Sequence, residues 1–304
     1  MSIYVGLDLG ATFLKYGYGN SELGLQKLTK RSIDTSVSRA ALLEALVDST
    51  NELIEPLRNN HTLKGITLGT PGSVNPVTGE VLGSTPNIEN WGGVNPKTVL
   101  EDTFQCPIYI ENDANLMAYG EAQSAELRGK SILGVTIGTG IGGGLIINND
   151  IFRGSNYSAL ELGHTIVVSN GRLCACGKHG CVEAYSSAKS IMYDILHAHV
   201  HPCGVELEIA LSEVKTNPTV ARIFYEAYDK LGLAIANSVT LLDPEVIIIG
   251  GGITECTNFD LTPLKTAIFR YLTPEQKESL EIKTAALRNS AAVWGGILLA
   301  ECSA

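Results

Sequence analysis

No run of lysine or arginine occurs in this chain, and its formal net charge is −10, from 22 basic against 32 acidic side chains. An electrostatic footprint for nucleic acid or for an anionic membrane is therefore excluded. Long apolar runs are missing too. The longest such stretch, 131–147, is about half glycine, serine and threonine and does not read as a membrane span. A disulfide framework is also lacking: the 7 cysteines are odd in number and follow no regular spacing. Nothing at the N-terminus has the pattern of a signal segment, so a reduced, cytoplasmic compartment is expected. There is no low-complexity segment and no obvious linker. With 304 residues and 44% hydrophobic content, the chain can bury a full core, and two domains are expected.

Glycine is abundant, at 32 residues, and clustered, which points to loops where backbone approaches a ligand. The opening IYVGLDLGATFLKYGYG predicts a strand, a tight turn and a second strand with no helix between, followed by polar sequence to about Ser38. Apolar residues from Leu43 to Leu57 have helical spacing. KGITLGTPG is a short buried strand running into a loop, and Asn87 is expected in an exposed turn. After a helix near 96–104, a strand over 107–110 delivers Glu111, Asn112 and Asp113 into a loop before a helix that starts near Asn115. Carboxyl ends of strands are where α/β sheets place ligands, although Asp113 in isolation reads equally as a helix N-cap.

Residues 131–154 repeat the opening plan, so the chain reads as two duplicated halves. The turn at Gly138, Thr139 and Gly140 lacks the lysine of a P-loop and is not followed at once by a helix, yet backbone nests of this kind still bind anions. Helical patterns follow over 186–198 and 217–242, then a buried strand, 246–249, that runs into Gly250, Gly251 and Gly252, and a capped apolar helix from Asn289 to Glu301. Alone, the glycine triple would read as an ordinary turn.

The densest chemistry is in ELGHTIVVSNGRLCACGKHGCVE, residues 161–183. His164, Cys174, Cys176 and Cys181 make the Cys₃His set of a closed structural zinc site. His179 is the competing imidazole, and a disulfide with a spare thiol is the plainer alternative. Glu161 and Glu183, at the two edges, are left for ligand recognition.

Together these stretches resemble the ROK family of sugar kinases over nearly the whole chain. DLGAT (8–12) is similar to that family's first phosphate loop, ENDAN (111–115) to its catalytic segment, GTGIGGG (138–144) to its second phosphate loop and Gly250–Gly252 to its adenosine loop. ELGH with the cysteine run is similar to its zinc and sugar signature. The resemblance implies an α/β, two-lobed actin-like (ribonuclease H-like) sugar-kinase fold: a small domain over 1–112, rejoined by the helix 289–304, and a large one over 113–288. It implies ATP-dependent phosphorylation of a hexose hydroxyl, glucose to glucose 6-phosphate. Fructose, mannose, allose or an N-acylhexosamine are the alternative acceptors, and a non-catalytic sugar sensor or transcriptional regulator is the rival class. Asp113 is implied as the base. Asn87, Asn112, Glu161, His164 and Glu183 would hold the sugar. Asp8, Gly10, Thr12 and Lys15, with Gly138, Thr139, Gly140 and Gly250–Gly252, would hold ATP and Mg²⁺. A homodimer or homotetramer is implied, without nucleic acid or membrane partners. Because the phosphate turns lie elsewhere in the chain, zinc is expected to shape the sugar side alone. Ala11 and Leu160 depart from the family pattern, standing where glycine is usual.

Overall fold

A computed structural model of the chain describes residues 1–83, 88–201 and 204–303. Contacts divide the protein into two compact units, Met1–Gly129 with Gly144–Ala159 and Ser290–Ala304, and Lys130–Gly143 with Leu160–Asn289.

The first unit is built on β1 (Ser2–Leu9), β2 (Phe13–Asn20), β3 (Gly24–Ser32), β4 (Thr62–Thr70) and, after a small hairpin of β5 (Ser73–Val74) and β6 (Val81–Leu82), β7 (Ile108–Asn112). The sheet order is β3-β2-β1-β4-β7. β2 is antiparallel to both β1 and β3, while β1, β4 and β7 run parallel. All of β1 beyond Ser2 is buried, as a strand covered on both faces requires. β3 is the opposite case. No residue of it is buried, and its exposed Lys27, Lys30 and Arg31 suit a sheet edge. The expected polar connection up to Ser38 is therefore corrected: most of it is an edge strand, which needs backbone pairing on one side and no apolar alternation.

Helix α1 (Arg39–Ile54) begins earlier than its first expected apolar residue, because the Ser38 hydroxyl caps it by accepting from Ala41 N–H. It ends before Pro56, after which a single 3₁₀ turn spans Glu55–Leu57. α2 (Pro96–Phe104) lies where expected, and α3 (Asp113–Ala122) follows β7 without a loop. The C-terminal α10 (Ala291–Ser303) packs on β1 so closely that a Cβ on Gly6 would lie 2.1 Å from the Val293 carbonyl oxygen. Leu7, Leu46, Leu68 and Trp91 form the centre of this unit's core.

The second sheet comprises β8 (Ile132–Ile137), β9 (Ile141–Ile147), β10 (Asp150–Ile151), β11 (Val246–Gly250) and β12 (Glu281–Thr284), in the order β10-β9-β8-β11-β12. β8, β11 and β12 run parallel, and β9 and β10 are antiparallel. That is the strand order of the first sheet again, so the duplication read from the glycine turns extends to topology. The helices are α4 (Glu183–Ser186), α5 (Ala188–His197), α6 (Leu207–Glu213), α7 (Pro218–Leu242), α8 (Thr262–Arg270) and α9 (Pro274–Ser279). The helix expected over 186–198 is α5, and the short α4 precedes it: Ser187, extended at φ −68° and ψ 154°, ends α4 and caps α5. β11 is buried throughout against the inward face of α7. Among the described residues no helix is long and apolar enough to cross a membrane.

Candidate active site and metal cluster

In the first unit the register aligns Asp8 with Gly69 and Thr70 with Asn112, so β1, β4 and β7 end at one carboxyl edge. Asp8 is buried, and Lys15, its cross-strand neighbour, donates from Nζ to Oδ2 at 3.1 Å. Gly10 N–H closes the intervening turn on the Phe13 carbonyl at 3.0 Å, with the exposed Thr12 at its end. Trp91 Nε1 donates to Thr70 Oγ1 at 2.8 Å, which fixes the end of β4. Asn87 lies outside the described residues.

The ENDAN segment differs from expectation in one respect. The strand runs on through Asn112 and the helix starts at Asp113, not near Asn115. Asn112 is the cap: its Oδ1 accepts from Ala114 and Asn115 N–H at 2.9 and 3.1 Å. Its Nδ2 donates to the Gly72 carbonyl at 3.2 Å and carries a second hydrogen for another acceptor. Asp113 is thus the first helical residue, and its Oδ1 also accepts from Ala114 N–H at 2.9 Å. Beside it, the buried Glu111 accepts from Asn112 N–H and Asn115 Nδ2 through Oε1 and from Arg153 Nε through Oε2 at 2.6 Å. Arg153 was missed by sequence reasoning. Its signal was a cation in IFRG just past the glycine-rich hairpin, masked by an acid three residues before it: Arg153 Nη1 also lies 3.7 Å from the exposed Asp150.

In the second unit the turn 138–140 and the glycine triple come together. β8 and β11 pair through Thr136 and Gly250, so both loops leave the same edge. Gly251, at φ 89°, lies against Ile137, and a Cβ there would come within 2.6 Å of its backbone, which only glycine permits. Thr139 is exposed at the tip of its turn.

The cluster also assembles. One ligand atom from each of His164, Cys174, Cys176 and Cys181 lies within 4.8 Å of the others. His164 Nδ1 is 3.7 Å from Cys174 Sγ, and the Cys176 and Cys181 sulfurs are 3.6 Å apart. All three thiols are free, so no disulfide forms here. His179 is not in the cluster; its Nδ1 pairs with the Gly171 carbonyl at 3.0 Å. A short turn supports the ligands through Cys174 N–H to Lys178 O and Gly177 N–H to Cys174 O. Burial, then the Cys176 thiol, push Cys181 up to about 12, and burial raises Cys174. Cys176 goes the other way: burial opposes it, but the Lys178 backbone amide and the two neighbouring thiols bring it below the ordinary thiol value. Three thiols and an imidazole in a pocket of this kind suit a soft, four-coordinate cation such as Zn²⁺. Glu161 opens the 3₁₀ turn Leu162–His164, and Glu183 opens α4 two residues after the last cysteine ligand.

A model of the ROK family matches residues 4–302. A glucokinase of Halalkalibacterium halodurans is 33% identical over 96% of this chain and 93% of its own length. An N-acetyl-D-glucosamine kinase of Photobacterium profundum is 32% identical over 85% of this chain and 86% of its own. The crystal structure of a ROK family glucokinase from Streptomyces griseus, in complex with glucose and AMPPNP, superposes with a TM-score of 0.85 at 27% identity, covering 99% of both chains. The fold is accordingly the actin-like α/β fold of the ROK sugar kinases.

Proposed function

The chain belongs to the ROK family, and from that premise we propose that it is an ATP-dependent kinase of a hexose hydroxyl, converting glucose to glucose 6-phosphate. Phosphoryl transfer needs in-line positioning and neutralisation of charge more than covalent help. Asp113 takes the proton from the attacking hydroxyl. The observation that carries this role is the arrangement of ENDAN: Asn112 caps α3, and Asp113 stands beside it at the carboxyl edge of the parallel strands. Asn112 Nδ2, Glu161, His164 and Glu183, with Asn87, hold the remaining hydroxyls. Because His164 turns Nδ1 toward the cysteines, Nε2 is the nitrogen left to donate to sugar.

Lys15, Gly10 and Thr12, with Gly138, Thr139 and Gly140, hold the phosphates, and Gly250–Gly252 give the adenosine a backbone surface. Asp8 offers a hard carboxylate oxygen for Mg²⁺, which when bound neutralises charge on the β- and γ-phosphates. The Cys₃His cluster holds a structural Zn²⁺ that fixes the loop carrying Glu161 and His164.

A coupled ADP-release assay over glucose, fructose, mannose, allose, N-acetylglucosamine and N-acetylmannosamine tests this reading. Glucose is expected to give the highest kcat/KM. The relative from Photobacterium profundum is the reason to include the N-acylated sugars. No hexose-dependent ADP release from metal-loaded protein would overturn the kinase reading.

A further inference from the structure

The turn 138–140 contains two glycines and an exposed threonine, so no side-chain packing of its own holds it in shape. Its internal bond runs from Gly138 N–H to Gly140 O at 2.9 Å. Two further bonds fix its ends, and both come from one short segment. Ala188 N–H, in the first turn of α5, donates to the Gly138 carbonyl at 2.9 Å. Ile141 N–H, just past the turn, donates to Glu183 Oε2 at 2.9 Å. The second is a charge-assisted bond, the stronger kind. The other oxygen of the same carboxylate, Oε1, lies 3.9 Å from Cys174 Sγ, which puts Glu183 directly beside the cluster. Cys181, a member of the metal cluster, lies two residues before Glu183. The α4–α5 junction is itself closed by Ser190 Oγ donating to the Glu183 carbonyl at 2.8 Å and by Ser187 capping α5.

We propose that Glu183 is a positioning residue for the phosphate turn, and that through the segment Cys181–Ala188 the metal cluster sets the affinity for nucleotide phosphate as well as the shape of the sugar loop. The distance in sequence between cluster and turn predicts an effect on the sugar side alone. The Glu183–Ile141 bond removes that separation. The proposal rests on the kinase reading for the identity of the ligand, but its geometry does not.

Two measurements on the full chain, both without sugar, test it. ADP with Mg²⁺ is titrated by calorimetry into wild type, Glu183→Ala, Glu183→Gln and chelator-stripped protein, and amide exchange is followed at Ile141. Loss of a bond to a charged group predicts that Glu183→Ala weakens ADP by about tenfold or more. Glu183→Gln, which keeps an acceptor oxygen, should fall between Glu183→Ala and wild type. Stripping the metal should weaken ADP in the same direction. Exchange at Ile141 should quicken in Glu183→Ala and in stripped protein. Unchanged ADP affinity with unchanged Ile141 protection in Glu183→Ala would overturn the proposal, because a residue that only contacts sugar moves neither. If wild type binds no ADP at all, the kinase reading fails, while Ile141 exchange still decides whether Glu183 and the metal hold the turn.

Discussion

Arg153 Nε donates to Glu111 Oε2 at 2.6 Å, a pairing in which the glutamate side chain is almost wholly buried and the arginine side chain only 23% exposed. Glu111 also receives Asn112 N–H and Asn115 Nδ2, so the pair braces the residues on both sides of Asp113. Breaking a buried pair from one side leaves an uncompensated charge, typically at a cost of about 3–5 kcal/mol. Arg153→Ala is therefore expected to destabilise the protein by roughly that amount, as read from urea unfolding. Glu111→Gln, which keeps the hydrogen-bonding shape without the charge, should cost less. Equal stability of Arg153→Ala and wild type would mean that the pair is not a brace.

The thiols make metal-stripped protein sensitive to alkali. Cys181 stands at about 12 against an ordinary value of 9.0, raised by burial and by the Cys176 thiol. A thiol raised in the fold stabilises it fully below pH 9.0, and that stability is lost as pH climbs toward about 12. Cys174 acts with the same sign, and Cys176, lowered, partly offsets it. In metal-loaded protein the thiols are already thiolates, so this loss with rising pH disappears. The Tm of stripped protein should accordingly fall above pH 9.0 more steeply than that of loaded protein. Parallel profiles would show that the cysteines do not bind metal.

Leu160 is held at φ 60°, in the left-handed region that favours glycine. Its side chain packs on the core of the second unit. A left-handed residue with a Cβ costs about 1–2 kcal/mol. Leu160→Ala loses the packing and keeps that strain, whereas Leu160→Gly loses the packing and relieves it. Leu160→Gly should therefore be more stable than Leu160→Ala by about 1 kcal/mol in chemical denaturation, and the reverse order would contradict the strain.

What the sequence made legible follows from where its signals lie. The glycine turns sit at the ends of strongly apolar strands, and the cluster cysteines crowd into eight residues, so each announces itself locally. β3 does not, because an exposed edge strand carries no apolar alternation. Whether Asn112 or Asp113 caps α3 depends on one backbone step, which neighbouring polar residues do not reveal. Arg153 finds Glu111 across 42 positions of chain, and Glu183 meets the backbone amide of Ile141, a contact that no residue type records.

The central claim is that Asp113 accepts the proton of a sugar hydroxyl during phosphoryl transfer. Asparagine keeps the shape and the contact with Ala114 N–H but cannot take a proton. The most direct measurement is single-turnover transfer from ATP by Asp113→Asn, made alongside calorimetric binding of glucose to the same preparation. The expected result is a loss of about 10²–10⁴-fold in rate with glucose affinity within a few fold of wild type. A rate near that of wild type, with glucose still bound, would contradict the account.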